Sequence, residues 1–305
     1  MPHPNPGRAG FDLVLRRPAL VLAEIAWRWS FGLASLALLG LTCILFLASI
    51  RVSESDMQLA RSGSPWIVAD VLAHLLQANR APLLRAVAVL VPGMAILWTI
   101  AASVGRLITV PSLVTPRAGK SSAALPALLA ISFLRTALAL ALIAGYLGCA
   151  ALAALVANTI GGEPQQQVQI SFFIFMPTFL LVLLVWALLN WFFSIAPIFA
   201  IRDSRPALAS FSDAVHLFTT NKRDFLAIGS AYGLAKTIAI IIVTIAGIVL
   251  GVTLSSYPTL DTTVLIVLTL VYLAFADLLN LARLASYAVL AEVPAPDPAS
   301  QPTVA

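Results

Sequence analysis

Six long apolar stretches constrain this chain more than any other feature. Five of them, residues 31–50, 86–105, 136–160, 168–201 and 237–260, contain no charged side chain; the sixth, 262–290, is broken by Asp277 and Arg283. A helix rises about 1.5 Å per residue, so about 20 residues cross the ~30 Å hydrocarbon core of a bilayer. The expectation is an all-α integral membrane protein: a bundle of six transmembrane helices with two or three interfacial amphipathic helices.

Composition points the same way. With 60% hydrophobic and 10% charged residues among 305, there is too little polar surface for a soluble domain. The net charge of +5 and pI near 9.6 would suit nucleic acid, but the basic residues sit in short segments flanking the spans, where they set orientation. No nucleic-acid partner is expected. Cys43 and Cys149 both fall inside spans and form no ligand pair by spacing, so they read as small buried apolar residues. No metal or cofactor is implied.

Alternate segments divide the Lys and Arg residues unevenly. Arg8, Arg16, Arg17, Arg28, Arg106, Arg117, Lys120, Arg202, Arg205, Lys222 and Arg223 fall in the segments on one side, and Arg51, Arg61 and Arg80 in the 51–80 loop on the other: eleven against three, with Arg85 set apart at the mouth of the second span. By the positive-inside rule both termini face the cytosol, and the first span is an uncleaved anchor.

Along the chain, residues 1–10 carry three prolines and read as a disordered lead-in. Residues 11–293 form the transmembrane domain, and 294–305, with four prolines, a disordered cytosolic tail. Residues 17–29 suggest an interfacial helix running into the first span. Ser64-Pro65 resembles a helix start, and Ile67, Val71, Leu75 and Ala78 then recur near helical spacing. The loop around 111–125 should be irregular, Gly161-Gly162 a tight turn, and Asp261-Thr262-Thr263 a cap for the sixth helix. Arg17-Pro18-Ala19-Leu20 recurs as Arg205-Pro206-Ala207-Leu208, a weak trace of duplication.

Catalytic signatures are lacking. His3, His74 and His216 are scattered, and no metalloprotease, phosphate-loop or nucleophile-elbow motif occurs. Gly229 and Gly233, and Gly247 and Gly251, have the spacing that lets helices pack closely. Pro92-Gly93 and Pro177 suggest kinks. Arg135 and Lys236 stand near the inner ends of their spans, where long side chains reach water. Asp277 lies 14 residues from Thr263, ~21 Å along the helix and so ~9 Å short of the inner boundary. A carboxylate there needs a partner, a proton or a polar cavity. Arg135 and Lys236 are the natural partners, with Asn280 one turn on. Arg16, Arg17, Arg28, Lys222 and Arg223 are candidates to contact anionic lipid phosphates on the cytosolic side.

The segment after the fourth span is distinctive: Ala196-Pro197-Ile198-Phe199-Ala200-Ile201-Arg202-Asp203, then Phe211-Ser212-Asp213-Ala214-Val215-His216-Leu217 and Asn221-Lys222-Arg223-Asp224-Phe225. Ser212 or Asp213 would cap an amphipathic helix with Ala214, Leu217 and Phe218 facing lipid. The pattern resembles the multi-pass membrane domain attached to some bacterial glycerophosphoryl diester phosphodiesterases and related uncharacterised six-span proteins. Ser204-Arg205-Pro206 stands where that family has a glycine-containing turn. In those enzymes catalysis resides in a separate barrel domain that has no counterpart in this sequence, so the resemblance implies no enzymatic activity here. The expected role is a non-enzymatic scaffold or accessory subunit of the bacterial inner membrane, working with a membrane-protein partner or a second copy. The alternative is a transporter or exporter using a polar site around Asp277. A lipid-modifying enzyme would need a nucleophile, acid and base in one place, and the sequence offers none.

Overall fold

Proline opens most of the helices in this fold. Its missing N–H costs nothing in the first turn, where that group would have no partner, and its fixed φ suits the helix. Helices α1 (Pro6–Leu15), α2 (Pro18–Ser49), α3 (Pro65–Ala78), α6 (Pro164–Arg202) and α9 (Pro258–Glu292) all begin on one. The others are α4 (Arg80–Thr109), α5 (Leu125–Ile160), α7 (Ala207–Thr220) and α8 (Lys222–Thr253), with a 3₁₀ turn over Val110–Ser112. The structure, a computed structural model, describes residues 5–50, 58–59, 65–115, 124–253 and 256–292, with no strand among them. Helices α2, α4, α5, α6, α8 and α9 are long and apolar enough to cross a membrane. Gly161 (φ 73°) and Gly162 (φ 111°) supply the left-handed turn between α5 and α6. Pro92, Pro177 and Pro197 lie inside helices that continue through them.

Several boundaries differ from the sequence reading. Residues 6–10 are not a disordered lead-in but the first half of α1, capped by Asn5, whose Oδ1 accepts from the Gly7 N–H at 3.0 Å. Residues 18–29 of the expected interfacial helix belong instead to the single long helix α2, and Arg17 stands just ahead of it. Helix α7 starts at Ala207, so Ser212 and Asp213 lie within it and cap nothing. Helix α9 starts at Pro258, which puts Asp261 in its first turn rather than ahead of it. The tail expected over 294–305 lies outside the described residues.

The chain divides into two compact units, one of residues 28–101 and one of 1–27 with 102–305. In the smaller unit α2 and α4 approach closely: a Cβ at Gly93 would sit 3.0 Å from Leu38 Cδ2, and Phe31 meets Trp98 edge-on at 4.9 Å. Val71 is buried while Ile67 and Ala78 are exposed, so only part of the expected apolar stripe of α3 is covered. Asn79 is buried at the α3–α4 junction, its Nδ2 donating to the Leu75 carbonyl at 2.9 Å.

The larger unit has one densely packed end, termed here the base. The start of α5, the end of α6, all of α7, the start of α8 and the end of α9 meet there with α1. Ile195, Ile198, Phe225, Leu281 and Tyr287 are fully or almost fully buried in it. Ala214 and Leu217 join this core and Phe218 packs against it, so the face of α7 expected to meet lipid is an interior face. Trp191 stacks obliquely on Phe225 at 5.1 Å and Phe225 on Tyr287 at 4.7 Å. Beyond the base, α5 and α6 stay in contact: Tyr146 lies edge-on to Phe175 and Phe179. In α6 and α8, by contrast, no residue of the most apolar 18-residue stretch is buried. Cys149 is buried, but Cys43 faces outward, contrary to expectation.

Candidate functional site

The polar residues carried by the apolar helices gather near the level where the base ends. Arg135 on α5 donates from Nε to Asn190 Oδ1 on α6 at 2.7 Å, joining the two helices through a charge-assisted bond. Asp277 on α9 is 9% exposed, Asn280 one turn on is half-buried, and Lys236 on α8, which packs along α9, is exposed. Because α9 begins at Pro258, 19 residues precede Asp277 in the helix, ~28 Å of length rather than ~21 Å. The carboxylate therefore stands at the upper edge of the packed base, where Ala276, Leu279 and Leu281 are already buried. Asn190 was not singled out from the sequence. It is the one polar residue among the apolar and aromatic side chains between Thr178 and Ser194, which was the available signal.

A second polar cluster had no motif to announce it. Glu24 on α2 is 1% exposed, and its carboxylate accepts from Trp27 Nε1 at 2.9 Å and pairs with Arg106 of α4 at 3.2 Å. The Arg106 guanidinium also lies 5.7 Å from the Trp27 ring centroid. Gly105 gives the indole its space, since a Cβ there would fall 2.4 Å from the ring. Glu24 and Trp27 share a helix face at i, i+3, but the Arg is 82 residues away, and only the fold brings it there.

At the α6–α7 corner, Arg202 grips Asp203 with Nε and Nη2 (2.7 Å at the shortest) and donates from Nη1 to the Ala291 carbonyl at 2.7 Å. This ties the corner to the end of α9. Ser204 follows with φ 52°, a left-handed conformation that favours glycine. Arg205 then reaches Asp213 at 3.2 Å.

The proposed phosphate contacts are dispersed. Arg16, Arg17, Lys222 and Arg223 are exposed and Arg28 is half-buried. Arg17 donates to the Ser112 carbonyl. The glycine pairs split as well. At Gly229 a Cβ would fall 2.2 Å from Trp191, whereas at Gly233 nothing lies within 4 Å, so that spacing marks one close approach rather than two. Gly247 and Gly251 leave ordinary contact distances of 3.4 Å to Leu265 and 3.7 Å to Asp261.

Helix α1 is fastened by groups the sequence reading passed over. Tyr232 donates to the Gly7 carbonyl at 3.0 Å and lies 3.1 Å from Ser286 Oγ. Gly10 sits directly on Ser286, where a Cβ would come within 2.3 Å of the backbone nitrogen. No set of three or more His, Cys, Asp or Glu residues suited to a metal occurs among the described residues. No protein family, curated protein or solved structure matches this chain.

Proposed function

We propose that this chain is a multi-pass protein of the bacterial inner membrane, with both termini cytosolic, acting as a non-enzymatic scaffold or accessory subunit. One observation carries the reading: no residue in the most apolar 18-residue stretches of α6 and α8 is buried. Helices that leave most of this surface uncovered offer it to lipid and to other proteins. The base adds to the argument. Its core is filled by apolar side chains such as Ile195, Phe225 and Leu281, which leaves the upper helices resting on a solid platform. The eleven-to-three division of basic residues puts the base on the cytosolic side, and Arg16, Arg17, Arg28, Lys222 and Arg223 would meet anionic headgroups there.

Photocrosslinking in cells tests this role. A photoreactive residue at Ile241 or Ile245, both exposed on α8, should give discrete protein adducts, with the chain itself or with a partner. Lipid adducts alone at every exposed position would contradict it.

Transport is the second reading, favoured by Asp277, Asn280, Lys236 and the Arg135–Asn190 link standing at comparable levels on four apolar helices. Proteoliposomes with a pH-sensitive dye inside should then show proton flux that Asp277→Asn abolishes. The scaffold reading predicts no flux from either protein.

A further inference from the structure

A cleft of about 790 Å³ opens in the larger unit between α1, α8 and α9. Its walls are apolar, made by Phe11, Ile228, Ala231, Phe275 and Leu279 among others. The charged residues of its lining are Asp224, in the first turn of α8, and Arg8 of α1, which lies 4.0 Å from Asp12 one turn on, an exposed pair weak enough for a phosphate to replace. Along α8 the lining runs from Asp224 to Ala235, ~16 Å of helix, from the water-facing end of the base to the start of the exposed apolar stretch. The cleft is thus graded along its length, charged at the base and hydrocarbon-like toward the spans.

We propose that this cleft holds one phospholipid whose headgroup combines a phosphate with a primary ammonium. The inference rests on the membrane-spanning reading above. A lipid entering from the inner leaflet brings its acyl chain against Phe275 and Leu279 and its headgroup to Arg8 and Asp224. The two rim charges are of opposite sign, which selects among headgroups. The guanidinium of Arg8 takes the phosphate, and the Asp224 carboxylate takes the ammonium. A headgroup with phosphate alone would bring negative charge beside Asp224 without compensation, and a small zwitterion without a tail would leave the apolar walls wet. Tyr232 also lines the cleft, but its hydroxyl is engaged by Gly7 and Ser286, so it serves as wall and as the fastening of α1.

The test is lipid retention. The full chain is reconstituted in nanodiscs of equal phosphatidylethanolamine and phosphatidylglycerol, extracted gently, and its retained lipids are weighed by native mass spectrometry. Phosphatidylethanolamine should be retained over phosphatidylglycerol by roughly ten to one, the scale of one charge-assisted contact. Asp224→Asn should erase that preference while a lipid is still retained. Arg8→Gln should weaken retention of both lipids. Ala231→Trp, at an exposed position that fills the cleft without disturbing the core, should lose the bound lipid with unfolding temperature unchanged. Retention that mirrors the bilayer composition, or that ignores all three substitutions, overturns the inference. A chain that fails to enter nanodiscs at all overturns the membrane reading instead, and the lipid site with it.

Discussion

Ser204 occupies a backbone conformation that L-residues other than Gly, Asn and Asp rarely take, at the corner where Arg202 and Asp203 lock α6 to α9. Ser204→Gly should raise stability by up to about 1 kcal/mol, and Ser204→Val should lower it by more, as read from thermal unfolding in detergent. Equal stability of the two variants would mean that the corner relaxes freely. The Glu24–Arg106 pair is the more demanding case. Both side chains are largely removed from water, so Glu24→Ala leaves a guanidinium without its main counter-charge and should cost about 3–5 kcal/mol. Changing Arg106 to Met at the same time should recover much of that loss. A double variant as unstable as the single one would show that the indole contact of Trp27, and not charge, holds the cluster.

At the scale of the helix, close approach is decided by single glycines. Gly229→Leu drives a side chain into Trp191 and should abolish folded protein, whereas Gly233→Leu meets open space and should leave yield in detergent unchanged. Gly247→Ala should likewise be tolerated, with its nearest neighbour 3.4 Å away. The identical spacing of Gly229 and Gly233 carried no hint of this difference, because spacing reports which face a residue is on and not what stands opposite. The spans themselves were legible, since an apolar run of sufficient length has few alternatives. Helix α1 was legible too, in its Asn5-Pro6 start, but the neighbouring prolines pulled the reading toward a disordered lead-in. Helix α7 misled in the opposite direction: an amphipathic stripe of Ala214, Leu217 and Phe218 fits a lipid surface and a protein core equally well, and only the packing distinguishes them. The length of helix ahead of Asp277 was read short for one local reason. The threonine-rich Asp261-Thr262-Thr263 looked like a cap, while Pro258 in fact starts the helix earlier.

The molecule as a whole joins two kinds of surface. One end of the larger unit is packed as a soluble core is, with Tyr287 buried and its hydroxyl bridging Trp191 at 2.9 Å and the Phe225 carbonyl at 3.2 Å. The remaining lengths of α6, α8 and α9 expose Leu and Ile side chains almost throughout. In the proposed arrangement the exposed lengths lie in the bilayer and the base stands at its cytosolic face. Cysteine accessibility tests this most directly, in a background with Cys43 and Cys149 changed to Ala. A cysteine at Gln166, just after the Gly161-Gly162 turn, should react with a membrane-impermeant maleimide in intact cells. One at Thr219, exposed on α7 in the base, should react only after permeabilisation. The reverse pattern, or labelling of both positions in intact cells, would contradict the account.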